Sequence, residues 1–286
     1  MPESTTAYLD ETGHPRLRQS VVAFIDVLGF SEFSTSSPTL EDSQRVLDKI
    51  AAAIEDSRHF VRQIIPDGEN ALGRRWATKF FSDNLAFGYP FDDETLDRAS
   101  TAWFNTRSAQ RYQLKMTLNG FFVRGALTIG PVCLTDEIIF GSALIDCYQL
   151  ESKASIVPRI VLAEPLQQLV TDSYRTNAAG RPDTSIAQAI CRDVDGWWFV
   201  NYLDAAQDFG KIQWELIEQH KASILESLSH STRHDVLPKY GWACRYHNVF
   251  CHWHRDDPGY SDQYRISRID EQSTIYRLSD TNNRMP

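Results

Sequence analysis

Residues 24–33 read FIDVLGFSEF, and the acid at the third place decides how the rest of the chain is read. Asp26 closes the apolar run Val21, Val22, Ala23, Phe24, Ile25. A continuous run rich in β-branched residues predicts a buried strand over 20–28. A carboxylate at the end of such a strand is costly to bury unless a cation or hydrogen-bond donors meet it. The stretch therefore asks for a partner elsewhere in the chain.

The segments downstream supply the surroundings. Val46, Ile50 and Ile54 recur at helical spacing, and Glu41 and Asp42 sit where a first turn favours acids, so a helix is predicted over 38–64. Strands over 75–81 and 85–89 flank the polar turn Ser82-Asp83-Asn84, giving a hairpin with Asp83 at its tip. A second helix over 94–118 is closed by Asn119-Gly120. A strand over 121–129 follows, then Gly130-Pro131, a short strand or turn toward Phe140, a helix over 141–153 and a strand over 159–163. The order β, α, β, β, α, β predicts an α+β fold of the ferredoxin-like kind, with helices on one face of an antiparallel sheet. The stretch YRTNAAGRPDT, 174–184, reads as a linker. It divides the chain into a loose lead-in over 1–16, a core domain over 17–175 and an α/β extension over 176–286.

In a β-α-β-β core the first strand and the hairpin lie side by side, so Asp26 and Asp83 converge on one end of the sheet. Two carboxylates a few ångströms apart repel one another unless a divalent cation sits between them, and Mg²⁺ or Mn²⁺ suits such oxygen ligands. Taken singly, Asp83 also reads as a turn residue and Asp26 as a cap on 28–30.

Composition sets outer limits. Of 286 residues, 42% are hydrophobic and 23% charged, the balance of a globular chain. The net charge of −9 repels a phosphate backbone, and no local basic patch offsets it, which argues against a long nucleic-acid partner. No apolar run approaches the roughly 20 residues that cross a bilayer, and residues 1–16 lack an apolar signal core, so a cytoplasmic protein is expected. Five scattered cysteines without a CxxC pair read as reduced thiols. In the extension, CRYHNVFCHWH over 244–254 has the look of a zinc cluster. Its spacing is helical, however, and ten helical steps span about 15 Å. One tetrahedral ion does not reach all four ligands, so a packed helix with Trp242, Tyr246, Val249 and Phe250 inward is expected. WWFVNYL, 197–203, reads as a buried strand and 212–228 as a helix, which makes the extension a packing or dimer-support element.

The residues around the two aspartates resemble the class III nucleotidyl cyclases. AFIDVLGFSEF is similar to that family's opening motif, KFFSDNLAFG to its second metal motif, VRGALTIGPV to its central strand and IFGSALIDCYQLESKAS to its glycine-initiated helix ending near a glutamate. The four blocks stand in the family's order over residues 21–155. The resemblance implies a class III cyclase catalytic domain over 17–175, in which Asp26 and Asp83 bind two divalent cations, Mn²⁺ or Mg²⁺, with the carbonyl of Val27 as a further ligand. It implies that the amides of Leu28, Gly29 and Phe30 face the β- and γ-phosphates. One ion would lower the pKa of the ribose 3′-hydroxyl and the other would hold the triphosphate, so that attack on the α-phosphorus expels pyrophosphate. It also implies a homodimer with composite active sites.

The base-reading half departs from the adenylyl pattern. Lys79 occupies the base-reading lysine position, but its companion, an aspartate in many adenylyl cyclases, is Ile138 here. An aliphatic side chain accepts nothing from the exocyclic amine of adenine. The asparagine and arginine that meet the transition state are replaced by Ile145 and Gln149, which leaves Arg124 as the nearest candidate cation or, equally, as a salt-bridged structural arginine. A metal half of this kind with a rewritten base half resembles the pyrimidine cyclases of the Pycsar anti-phage system, which turn UTP or CTP into cUMP or cCMP to activate a separate effector. Trp76, Phe80 and Phe81 would narrow the pocket toward a pyrimidine, and Lys79 as donor to uracil O4 favours UTP over CTP. The resemblance thus predicts a uridylate cyclase, with a cytidylate cyclase as alternative. The changes at Ile145 and Gln149 keep open a catalytically silent nucleotide-binding domain, and the two-aspartate logic a palm-type nucleotidyltransferase.

Overall fold

The computed structural model describes residues 5–30, 39–62, 77–81, 84–91, 98–178, 188–208, 210–230, 237–266 and 275–278. Strand β1, Arg18–Val27, is its centre. Val21, Val22, Ala23 and Ile25 are all at most 1% exposed, so both faces of this strand are covered, as an uninterrupted apolar run requires. The alternation of a strand sorts its side chains. Val21, Ala23, Ile25 and Val27 enter one core with residues of α1 (Leu40–Arg62) and α2 (Arg98–Leu118), while Val22 and Phe24 enter the other with residues of α3 (Ser142–Ala154).

Strands β2 (Ala77–Phe81) and β3 (Asn84–Pro90) form the expected hairpin ladder, with the turn residues Ser82 and Asp83 outside the described residues. β3 lies antiparallel to β1 from Ser20↔Pro90 to Asp26↔Asn84. β4, Val123–Leu134, lies antiparallel on β1's other side, from Arg18↔Val132 to Val27↔Val123. The order β4-β1-β3-β2, with α1 and α2 sharing one face, is the ferredoxin-like arrangement. The fold is α+β. The helices are not confined to one face, because α3 and the extension's later helices cover the other.

Several boundaries differ from the sequence reading. β4 does not stop at Gly130-Pro131 but runs through both to Leu134. Its neighbour β6, Ile160–Leu162, pairs in parallel only with Gly125, Ala126 and Leu127, so Pro131 lies beyond that ladder, where a missing N–H is tolerated. Residues 139–140 form β5, paired with β4. The expected linker is helical over its first five residues, which end α4, Glu164–Ala178; 179–187 lie outside the described residues. The lead-in is anchored at Ala7 and Tyr8, which are buried, while residues 10–16 are exposed. Tyr8 is fully buried with its hydroxyl 2.9 Å from Ser20 Oγ, and the Arg16 amide donates to the Tyr8 carbonyl.

The C-terminal third continues the same sheet through β6, β8 (Trp198–Val200), β7 (Ile190–Arg192) and β11 (Tyr276–Arg277), giving nine strands among the described residues. The predicted strand WWFVNYL is a strand only at its centre, and Tyr202–Ala206 turn into a 3₁₀ helix. After the short pair β9 (Gln207–Asp208) and β10 (Lys211–Ile212) come α5, Trp214–His230, and α6, Leu237–Trp253. Trp242, Tyr246, Val249 and Phe250 of α6 are buried, matching the helical reading of that segment. A buried clamp ties core to extension. Arg159, 1% exposed, pairs with Asp193 and Asp195, and Trp242 Nε1 donates to Asp193 Oδ2 at 2.7 Å. No described helix is long and apolar enough to cross a membrane.

Candidate active site

Asp26 lies on the even-numbered side of β1, the side of Phe24 that faces α3, and its carboxylate is 16% exposed. Register sets Asn84 of β3 across from it on one side and Arg124 of β4 on the other. The Arg124 guanidinium meets a single carboxylate oxygen, Oδ2, from both Nε and Nη2 at 3.0 Å. Here is the cation that a strand-ending acid required. Glu151 of α3 approaches the same nitrogen, with Oε1 2.8 Å from Arg124 Nε and a side chain only 3% exposed.

The two contacts are unequal. Nε carries one hydrogen, and it is directed at Asp26. Glu151 Oε1 receives no hydrogen bond among the described residues, so its contact with Arg124 is a charge contact alone. The other oxygen, Oε2, accepts from Ser152 Oγ at 3.0 Å. Sequence reasoning passed over Glu151 as a working residue, naming it only as the end of a motif. A signal was present, since Ala143, Cys147 and Glu151 recur every four residues along the buried stripe of α3, and an acid on an apolar stripe needs a partner.

Two glycines shape the approach. Gly29 has φ +79°, the left-handed conformation that lets β1 turn sharply into 28–30. The Leu28 amide, one of the three expected to face phosphate, instead donates to the Phe122 carbonyl at 2.8 Å. Gly141, φ +148°, begins α3 where a Cβ would lie 2.3 Å from the Pro131 carbonyl, so only glycine lets the helix start against β4.

At the hairpin side, Lys79 of β2 donates from Nζ to the Asp136 carbonyl at 2.6 Å. Ile138, two residues on, is 42% exposed, with its amide on Thr135 Oγ1. The two positions expected to read the base therefore share one neighbourhood. Ile145 and Gln149 project from the solvent face of α3, alongside Tyr148. Asp83 and Trp76 lie outside the described residues, as does the side chain of Phe81.

The donors that are described suit a hard divalent ion, namely a carboxylate and the adjoining Val27 carbonyl at a position that already draws a positive charge. Among the described residues no group of three or more His, Cys, Asp or Glu side chains is arranged to hold a metal. The expected second carboxylate, Asp83, is not among them.

No family model matches the sequence, and no curated protein matches it. Among solved structures, the chain is similar to the adenylyl cyclase CyaB from P. aeruginosa, at 15% identity over 65% of this chain and 94% of that one, with a TM-score of 0.47. It is similar to a class III adenylyl cyclase-like ATP-binding protein from Pseudomonas aeruginosa at 12% identity, covering 56% of this chain and 37% of the other, TM-score 0.40. It is also similar to the guanylyl cyclase domain of the RhoGC fusion protein from the aquatic fungus Blastocladiella emersonii at 13% identity, covering 65% and 96%, TM-score 0.40.

Proposed function

We propose that this chain is a class III nucleotide cyclase that converts a pyrimidine nucleoside triphosphate, UTP before CTP, to its 3′,5′-cyclic monophosphate and pyrophosphate. One observation carries the reading. Segments far apart in sequence meet at a single point, with Asp26 of the FIDVLGF block between Asn84 of the FSDNLAFG block and Arg124 of the VRGALTIGPV block, and Glu151 of the last block beside the arginine.

Asp26, Asp83 and the Val27 carbonyl would hold two divalent ions, Mn²⁺ or Mg²⁺, whose chemistry is to acidify the 3′-hydroxyl and neutralise the triphosphate. The chain's own residues do the rest. Gly29 and Phe30 present backbone amides to the phosphates, now without Leu28, whose amide is engaged. Arg124 offers the cation that Ile145 and Gln149 do not. The ribose 3′-oxygen forms its bond to the α-phosphorus as the bond to pyrophosphate breaks, and the 3′-hydroxyl proton leaves to solvent. Lys79 donates to the base, and Ile138 closes the pocket around a ring smaller than a purine.

A homodimer with composite sites is part of the same reading. Phe140, Ile145, Tyr148 and Ile156 are each more than half exposed along β5, α3 and the turn beyond it, an apolar surface of the kind that a second copy covers. The cyclic product would act on a separate cyclic-nucleotide-gated effector in anti-phage defence.

The test is turnover of each of the four NTPs with Mn²⁺, products resolved by chromatography, beside an Asp26→Ala control. No cyclic nucleotide and no pyrophosphate from any NTP would overturn the proposal. A second reading, a silent cyclase-like domain, is favoured by Ile145 and Gln149 and would appear as NTP binding without turnover.

A further inference from the structure

Arg124 is shared by two acids of different depth, and the sharing is lopsided. The half-buried Asp26 receives the Nε hydrogen and the Nη2 contact, while the nearly inaccessible Glu151 has the same nitrogen 2.8 Å away without a hydrogen bond from it. A buried carboxylate so placed holds the guanidinium by charge and offers an empty acceptor. A small rotation of the Arg124 side chain moves the Nε–H from the Asp26 oxygen to the Glu151 oxygen and opens the aspartate to another cation.

We propose that Glu151 is a positioning residue that makes Arg124 a removable stand-in cation. Arg124 neutralises Asp26 while no metal is present, and passes to Glu151 when a divalent ion takes the aspartate. This rests on the cyclase reading above and deepens it, by assigning the metal response to a residue that is not itself a ligand. The device explains why an arginine can face the metal aspartate without blocking it. Without Glu151, the guanidinium has no second acceptor and commits to Asp26, so the metal must compete with a full ion pair. Glu151 also keeps the displaced arginine beside the site, where a triphosphate would meet it.

The test is Mn²⁺ affinity of the full chain without nucleotide, read by calorimetry and by the paramagnetic signal of free Mn²⁺. Glu151→Gln is expected to weaken Mn²⁺ binding about tenfold, and Glu151→Asp, which keeps the charge but falls short of Arg124, to weaken it nearly as much. Arg124→Gln removes the competitor and is expected to tighten binding several-fold. The deciding measurement is the double variant. If Glu151 acts through Arg124, adding Glu151→Gln to Arg124→Gln changes the affinity by less than about twofold. An equal loss in both backgrounds would mean that Glu151 acts as a plain negative charge or a ligand and would overturn the proposal, as would unchanged binding in Glu151→Gln. Should Glu151→Gln fail to fold, Glu151→Asp in the two backgrounds gives the same comparison. Wild-type protein that binds no Mn²⁺ at all would sink the cyclase reading itself, which is a separate outcome.

Discussion

His220 and His247 stack in the core of the extension with their Nδ1 atoms 2.9 Å apart and ring centroids 5.1 Å apart. Their other partners define which protons they carry. His247 Nε2 faces the Tyr264 carbonyl at 2.8 Å and must donate to it, so its Nδ1 accepts from His220 Nδ1–H, and His220 Nε2 accepts from the Tyr202 hydroxyl at 2.8 Å. This is the arrangement of two neutral rings. Burial holds them there, pushing the His220 pKa well below its ordinary value of 6.5 and that of His247 down to about 4.

This pair makes stability depend on pH in one direction. The folded pKa values are depressed, so the stability they contribute is complete above about 6.5 and is lost as pH falls toward 4, because the unfolded chain takes up the protons first. Each histidine contributes about 1.4 kcal/mol per pH unit in that window. Urea midpoints measured at pH 7, 6 and 5 should fall steeply, and the double variant His220→Gln/His247→Gln should flatten that slope even if it lowers stability at pH 7.

The clamp at Arg159 is expected to be the most sensitive single point of the core–extension contact. Arg159→Met leaves Asp193, 7% exposed, without its cation, which costs about 3–5 kcal/mol. Asp195→Asn, at a residue 44% exposed, should cost less than about 1 kcal/mol. Equal losses from the two variants in chemical denaturation would contradict this ranking.

Asp26→Asn should leave the fold intact, since Arg124 retains Glu151, yet lower cyclase turnover at least about a hundredfold. Circular dichroism and a pyrophosphate-release assay on the same preparation separate the two effects.

At the base, Lys79→Met is expected to reduce kcat/KM for UTP about tenfold through loss of one donor, while Mn²⁺ affinity stays as in the unmodified protein. A matched loss for every NTP would remove Lys79 from base recognition.

Ile145→Asp and Tyr148→Arg place charges on the exposed apolar face of α3. If that face joins two copies, sedimentation should shift from dimer to monomer, and turnover should fall with the dimer fraction.

How much of this was legible beforehand depends on how local the cause is. The strand ending in Asp26, the hairpin, both crossover helices and α3 were read from periodicity and turn residues, because burial on a strand or helix imprints a period on neighbouring residues. α4 was not named, although Pro165 in its first turn is a start signal. β4 was cut short at Gly130-Pro131, since a proline that breaks a central strand is harmless where no neighbouring ladder needs its N–H.

The sequence by itself determined the order of elements, the antiparallel quartet around β1, and the fact that a carboxylate would stand where that strand ends. Only the tertiary structure decided what meets that carboxylate. Asp26 and Arg124 are 98 residues apart, and the register that sets them side by side, with Glu151 beside Arg124, is the outcome of strand pairing and helix docking over the whole core. The same holds for Arg159 with Asp193 and for His220 with His247. Hydrophobic periodicity is written in adjacent residues, whereas the pairing of buried charges and rings is settled by which surfaces pack together once the chain has closed.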